Sequence, residues 1–294
     1  MQVANPQRVC VVTDSTASVP ADLAARLGLT IVPLAVIVGD VLHLEGVDLT
    51  SADLLRDLRD GKRIATSQPS PDALCDAYAA AAEAGAEAVV SVHLSSELSG
   101  TVQTARLAAK SSPIPVHVVD SRSVAMGLGL SAIIAAEELG RGVAPADAAL
   151  TARRVGAGSS VWFLVDSLEH LRRGGRLSAT AATLGAVLGM RPLLALSDGR
   201  LEVAEKVRTR VAARARLDAL ALTDAAGREH PRVAVHHLGD RAAADRLAEH
   251  LTRGLAGRLV PWPGEREGRV LVSEASAVVG AHVGPGLLAV VVGG

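Results

Sequence analysis

Short loops rich in serine and threonine follow predicted strands or precede predicted helices in this chain. They span residues 13–16, 66–71 and 95–101. Hydroxyl groups and the free backbone N–H groups of a helix N-terminus bind anions, and in an open α/β sheet the strand ends converge on one crevice. The pattern therefore indicates an anion-binding site at one sheet edge. The alternative is that these side chains are ordinary N-caps.

Two further segments carry groups that can bind an anion. His282 stands beside Gly284, Pro285 and Gly286, which predicts an imidazole on a rigid and sterically open loop. The alternative for His282 is a purely structural histidine. Residues 172–176 read Arg-Arg-Gly-Gly-Arg. This basic segment is either a docking or phosphate-handling loop or the solvated C-terminal end of a helix, and the sequence leaves its role open.

Several common chemistries lack the residues that they need. None of the nine histidines has a Glu or Cys at ligand spacing, so we expect no metal. The chain has neither a phosphate-cradling Walker pattern nor a G-x-S-x-G elbow, so we expect no cofactor, no complete kinase and no common hydrolase. Residues 127–132 match G-x-G-x-x-A, but they lie too far from the preceding strand, so we expect close helix packing there rather than a nucleotide site.

Composition excludes further classes of protein. With 30 Lys and Arg against 31 Asp and Glu, and with 1% aromatic residues, we expect no nucleic-acid binding. The longest uncharged stretch, residues 275–294, is interrupted by glycines and a proline, so we expect two buried strands and a loop rather than a membrane span. The N-terminus resembles no signal peptide, and the two cysteines have no metal spacing, which favours a cytoplasmic location.

Predicted strands alternate with predicted helices along the whole chain, which is typical of the α/β class. Because the strands are continuous apolar runs, we expect mainly parallel sheets with helices on both faces. A glycine-bearing stretch near residues 156–158 predicts a boundary between two α/β lobes, residues 8–156 and 157–294. Residues 177–190 predict a helix without charge, which is either buried core or the wall of an apolar cavity.

Taken together, these segments resemble the DegV family of fatty-acid-binding proteins, in family order from about residue 8 to residue 292. The matching segments are residues 12–16, 66–70, 98–101, 119–121, 168–178 and 282–286. The resemblance implies two α/β lobes that enclose one long-chain (C14–C18) fatty acid between and within them. It also implies that some members are acyl-carrying subunits of a fatty acid kinase, in which a separate ATP-binding protein phosphorylates the bound carboxylate.

The resemblance also assigns site residues. The family's carboxylate ligands fall on three positions of this chain: Thr66, Ser99 and His282. Their neighbours give secondary head-group contacts: Ser67, Gly100 and Thr101. Two arginines match basic positions that are linked to phosphoryl transfer or to partner contact: Arg176 and Arg208. One side of the uncharged helix would line the acyl tunnel: Leu184, Val187 and Leu188.

The physical needs of such a ligand agree with this assignment. Burial of about 15 methylenes is worth about 12 kcal/mol, from which the cost of association is subtracted. A buried carboxylate needs donors, which neutral hydroxyls supply. We therefore expect a carrier that presents a fatty acid to a separate kinase. Two alternatives stay open: a self-sufficient hydrolase or phosphoryl-transfer enzyme that acts on a small anion and requires Asp14, and an interaction module whose ligand is only structural.

Overall fold

The structure is a computed structural model that describes residues 8–177 and 191–294. Within these residues the strands are β1 (Val9–Asp14), β2 (Leu29–Val32), β3 (Ala35–Val38), β4 (Val41–Leu44), β5 (Ile64–Ser67), β6 (Ala88–His93), β7 (Val116–Asp120), β8 (Ser160–Leu164), β9 (Arg191–Ser197), β10 (Arg200–Val207), β11 (Arg232–His237), β12 (Leu271–Glu274) and β13 (Leu288–Gly293). The α-helices are α1 (Ala21–Leu27), α2 (Ser51–Arg59), α3 (Pro71–Glu83), α4 (Thr101–Ala108), α5 (Met126–Gly140), α6 (Pro145–Gly158), α7 (Glu169–Arg173), α8 (Arg210–Gly227), α9 (Arg241–Gly254) and α10 (Ala277–Val283).

The N-terminal sheet has the strand order β2-β1-β6-β7, and all its pairs are parallel. Its two central strands, β1 and β6, are rich in valine and mostly buried, as parallel strands covered on both faces require. Alternate side chains point to opposite faces: Val11 and Val90 pack in the same cluster as α5, whereas Val12 and Val89 pack with α3 and α4. The α/β class and the prediction of a parallel sheet are confirmed for this part of the chain.

The C-terminal sheet has the order β10-β9-β8-β13-β11-β12, and only β11 and β12 pair in parallel. The prediction of mainly parallel sheets is therefore wrong for this half. The sequence misleads because strands such as β13 are buried along their whole length, a pattern that usually marks a parallel sheet. Here α8 and α9 cover one face, and the other face packs against α5 and against apolar residues that line a cavity.

A small antiparallel sheet, with the order β4-β3-β5, was not predicted as a separate sheet. Its strands have four residues each, too short for a clear periodicity in the sequence. It packs with α2 and α10 through Val36, Leu54 and Val278. Helix α2 begins after Thr50, because Thr50 and Asp53 form a capping box. The small sheet matters for the site because β5 carries Thr66 and Ser67.

The two halves of the chain share a core. One hydrophobic cluster joins Leu128 and Leu130 of α5 to Val161 and Val291 of the C-terminal sheet. Helix α6 runs across residues 156–158 and ends at Gly158. The division into lobes at this point stays a prediction. Among the described residues, no helix is long and apolar enough to cross a membrane.

A buried ion pair also joins the halves. Arg232, at the start of β11, donates from both terminal nitrogens to the carboxylate of Glu137 on α5, at 2.7 and 2.8 Å. The Arg232 guanidinium also lies over the ring of Trp262, 5.7 Å from its centre. Removal of one partner of such a pair leaves a buried charge without compensation.

We predict that Glu137→Gln lowers the free energy of unfolding by about 3–5 kcal/mol, because it leaves the Arg232 guanidinium buried without its counterion. Urea denaturation measures this change. The matched control is Glu138→Gln, since Glu138 pairs with the exposed Arg141 and should contribute less than about 1 kcal/mol. Equal effects of the two substitutions would contradict the prediction.

Candidate functional site

An apolar cavity lies where the N-terminal sheet, the small sheet, the C-terminal sheet and α10 meet. The space not filled by atoms is about 850 Å³, a volume that includes open solvent at its mouth. Its walls are mainly aliphatic. The apolar side chains that line it are Leu34, Leu94, Leu98, Val124, Ala125, Val161, Phe163, Leu171, Leu201, Ala275, Val278, Val279, Val283, Leu287 and Ala289.

Polar side chains gather at one part of this cavity. Thr66 comes from the end of β5 and His282 from the last turn of α10, and Thr66 Oγ1 lies 2.8 Å from His282 Nε2. Burial and the nearby positive charge of Arg176 lower the pKa of His282 to about 4. The imidazole is therefore neutral at pH 7. With the proton on Nε2, His282 donates to Thr66 Oγ1 and leaves the threonine hydroxyl proton free for a ligand.

Two glycines leave room for the rings of two histidines, His282 and His170. A Cβ atom on Gly174 would lie 2.3 Å from His282 Nδ1, so only a residue without a side chain allows this contact. Reciprocally, a Cβ atom on Gly284 would lie 2.4 Å from a ring carbon of His170. Gly284 also has a φ of +76°, which favours glycine. The basic segment and the His-x-Gly-Pro-Gly segment thus pack against each other.

Ser99 reaches the cavity from the turn between β6 and α4. The carbonyl oxygen of Ser95 accepts hydrogen bonds from the N–H groups of Leu98 and Ser99, at 2.9 and 3.2 Å. Ser99 Oγ lies 2.9 Å from Thr101 Oγ1. This turn brings Ser99 to the same cavity as Thr66 and His282, although the three residues are far apart in the sequence.

The secondary positions divide into two groups. Ser67 and Gln68 line the cavity with Thr66. Thr101 is buried, and its hydroxyl contacts Ser99 instead of lining the cavity. Gly100 lies so close to the Gln68 side chain that a Cβ atom on Gly100 would be 2.1 Å from Gln68 Oε1. Thr101 and Gly100 therefore support neighbouring side chains.

The two arginines have different positions. Arg176 Nε donates to the Leu98 carbonyl at 3.1 Å, and Nη1 donates to the Gly174 carbonyl at 2.6 Å. Arg176 thus ties the basic segment to the turn that carries Ser99. Arg208 is exposed between β10 and α8, and it is not among the described residues that line this cavity.

A basic cleft lies on the other side of Thr66 and His282. Arg176 and these two residues line both the cavity and the cleft, so they form the wall between them. The cleft is a larger space of about 1120 Å³, including open solvent. Its other cationic or titratable side chains are Lys62, Arg63, His170 and Arg173.

Thr16, from the predicted loop at residues 13–16, also lines the cavity, whereas sequence reasoning missed His236, another polar residue that lines it. His236 Nε2 accepts from the N–H of Met126, the first residue of α5, at 3.1 Å, and Nδ1 lies 3.3 Å from the Ser273 carbonyl. Burial lowers the pKa of His236 to about 4, so the ring is neutral. His236 lies at an inward position on a fully buried strand, and this position was a weak signal for it in the sequence.

Other predictions lie outside the described residues or concern metals. Leu184, Val187 and Leu188 fall on residues that the structure does not describe. Among those it describes, no group of three or more His, Cys, Asp or Glu residues is placed to hold a metal ion.

Comparisons with known proteins point to one family. The family model described as "Uncharacterised protein, DegV family" matches residues 8–293. A DegV domain-containing protein of Streptomyces coelicolor is 44% identical over 290 residues, which cover 97% of this chain and 98% of that protein. Two solved structures each align with 98% of this chain and 99% of their own, at a TM-score of 0.87. They are fatty-acid-binding DegV proteins of Thermus thermophilus, 34% identical, and Bacillus subtilis, 29% identical.

We predict that Gly174→Ala displaces the His282 ring and breaks its contact with Thr66, because the new methyl group would lie too close to Nδ1. The ¹⁵N chemical shifts of the His282 ring, measured by NMR, check this outcome. Gly140→Ala is the matched control, since nothing lies within 4 Å of a Cβ atom there. Unchanged His282 shifts in the Gly174 variant would contradict the prediction.

Proposed function

The chain belongs to the DegV family, and from this membership we propose that it binds one long-chain fatty acid. The acyl chain occupies the apolar cavity, and the carboxylate lies at Thr66, Ser99 and His282. One observation carries the proposal: a mainly aliphatic cavity is lined by Thr66, Ser99 and His282, and the Thr66 hydroxyl lies 2.8 Å from the His282 ring. The fatty-acid binding of the Thermus thermophilus and Bacillus subtilis proteins supports it.

The cavity suits the energetics of this ligand. An acyl chain gains about 0.8 kcal/mol for each buried methylene, so aliphatic walls alone supply a large favourable free energy. A carboxylate that loses water without gaining donors would cancel several kcal/mol of it. The Thr66 and Ser99 hydroxyls provide neutral donors, and His282 orients Thr66. The positive charge of Arg176 lies close enough to affect His282 and would favour the anionic head group.

We further propose that the protein is a carrier and not a self-sufficient enzyme. The alternative gave an essential role to Asp14. Asp14 is fully buried, and both of its carboxylate oxygens accept hydrogen bonds from backbone N–H groups, those of Thr16 and Leu94. This arrangement supports a structural role for Asp14. A cytoplasmic location is part of the proposal, and the free cysteines Cys10 and Cys75 are consistent with it.

The basic cleft supports presentation of the fatty acid to a separate kinase. It approaches Thr66 and His282 from the side opposite the aliphatic walls, and it carries cationic side chains that attract phosphate groups. Arg63 and Arg173 are exposed there. A kinase that brings ATP phosphates into this cleft would meet the carboxylate without entry of solvent into the acyl cavity.

We predict that Thr66→Ala combined with Ser99→Ala reduces the preference for palmitate over hexadecanol at least tenfold. Hydrogen bonds to a charged group contribute about 1.5–3 kcal/mol, and 1.4 kcal/mol is a factor of ten. Displacement of a fluorescent fatty acid measures both affinities. Ser111→Ala combined with Thr151→Ala, at positions that do not line the cavity, is the control.

The outcomes of this titration distinguish a wrong position of the carboxylate from a wrong function. An unchanged ratio in the double variant would mean that the carboxylate binds elsewhere. Failure of the unsubstituted protein to bind palmitate would contradict the function itself.

We predict that Arg63→Glu combined with Arg173→Glu abolishes transfer of phosphate to the bound fatty acid but leaves palmitate affinity within about twofold, because charge reversal repels ATP phosphates from the cleft. Palmitate-loaded protein, ATP and a lysate of the native cells are mixed, and hydroxylamine traps any acyl-phosphate. Arg153→Glu combined with Arg154→Glu, which are exposed on α6, is the control for charge.

Acyl-phosphate formed by the purified protein and ATP alone would contradict the carrier proposal, as would equal transfer by the two double variants.

A further inference from the structure

A chain of buried hydrogen bonds lies behind the cavity wall. Tyr78 on α3 contacts Ser91 on β6, with 2.9 Å between the hydroxyl oxygens. Ser91 Oγ lies 2.8 Å from His93 Nε2, and His93 Nδ1 lies 3.0 Å from Asp14 Oδ2. All four side chains have 0% exposure. None of the four is among the described residues that line the cavity.

The donors and acceptors of this chain have one consistent order. Burial raises the pKa of Tyr78 to about 12, so its hydroxyl keeps a proton. Among the described residues Ser91 is the only hydrogen-bond partner of that hydroxyl, so Tyr78 donates to Ser91. Ser91 then donates its own proton to His93 Nε2, which must be unprotonated. His93 Nδ1 carries the ring proton and donates to Asp14, because Asp14 Oδ2 already accepts from the backbone.

Asp14 connects this chain to the turn that carries Ser99. Its Oδ2 atom accepts from the N–H of Leu94 at 3.0 Å, at the point where β6 ends. The next residue, Ser95, accepts from the N–H of Ser99 at 3.2 Å. The Asp14 carboxylate is thus one of the groups that hold the chain where it leaves β6, ahead of the turn that carries Ser99.

Asp14 also connects to a second part of the cavity wall. Its Oδ1 atom accepts from the N–H of Thr16 at 3.1 Å and from the Thr16 hydroxyl at 2.5 Å. The Thr16 carbonyl accepts from the N–H of Ala125 at 2.9 Å. Ala125 has a φ of +53°, a conformation that costs a non-glycine residue free energy and must be held by its surroundings. Thr16 and Ala125 both line the cavity.

We propose that Asp14 is a positioning residue for the fatty-acid site, held ionised by four donors, and that a neutral, Nδ1-protonated His93 fixes its orientation. Through Leu94 it places Ser99, and through Thr16 it places Ala125. This inference rests on the proposed function, because its role is to hold groups that contact the fatty acid. An ionised carboxylate tolerates full burial only when its lone pairs are satisfied, so the four donors and Asp14 constrain one another.

Asparagine cannot replace Asp14 in this arrangement. Each carboxylate oxygen accepts from a backbone N–H group, one from Thr16 and one from Leu94. An amide has one oxygen and one NH₂ group, so one of the two backbone donors would face another donor. Either the Thr16 segment or the Leu94 segment must then move.

The first experiment determines the tautomer of His93 in the delipidated protein, by ¹⁵N NMR at pH 7. We expect a protonated Nδ1 and an unprotonated Nε2, and we expect Ser91→Ala to shift the Nε2 resonance. Ser131→Ala is the control, since its buried hydroxyl donates to the Ala152 carbonyl away from His93. An imidazolium, or a proton on Nε2 alone, would overturn the inference. This measurement requires no ligand, so its outcome is independent of the proposed function.

The second experiment measures the preference of Asp14→Asn for palmitate over hexadecanol. We expect this ratio to fall at least fivefold, because a displaced Ser99 no longer meets the carboxylate. Glu137→Gln is the control: it also removes a buried carboxylate, but Glu137 does not line the cavity, so only the stability of this variant should fall.

A preserved ratio in a folded Asp14 variant would overturn the inference, whereas failure of the unsubstituted protein to bind palmitate would instead contradict the proposed function. If the Asp14 variant does not fold, the His93 tautomer decides.

Discussion

The hydrogen bond between Thr66 and His282 joins residues 216 positions apart at the polar part of an aliphatic cavity. Much of the fold serves to make this contact. The small sheet carries Thr66, α10 carries His282, and Gly174 allows the backbone of the basic segment to lie against the imidazole ring. Because each of these elements comes from a different part of the chain, the contact exists only in the complete fold.

Charge is distributed unevenly across this contact, where Arg176 lines both the cavity and the basic cleft. On the cavity side, burial keeps His236 and His282 neutral, and the remaining wall is mainly aliphatic. On the other side, the basic cleft carries lysine and arginine side chains. A fatty acid has the same division, with an apolar chain and an anionic head. The match between the two distributions is the physical basis of the proposed function.

The sequence predicts local features well and distant pairings poorly. The N-terminal parallel sheet and the convergence of Thr66, Ser99 and His282 follow from segment patterns and from the family resemblance. The antiparallel order of the C-terminal sheet does not follow, because burial on both faces makes antiparallel strands read as parallel ones. The four-residue strands of the small sheet carry too few residues for a periodicity. The packing of Gly174 on His282 depends on tertiary contact and has no local signature.

The proposed function requires that the cavity holds a fatty acid. Native mass spectrometry of the protein, purified from cells without denaturation, tests it most directly. We expect a mass excess equal to one long-chain fatty acid per chain, together with recovery of the same acid by solvent extraction. A protein that carries only the mass of its polypeptide, and that yields no fatty acid on extraction, would contradict the account.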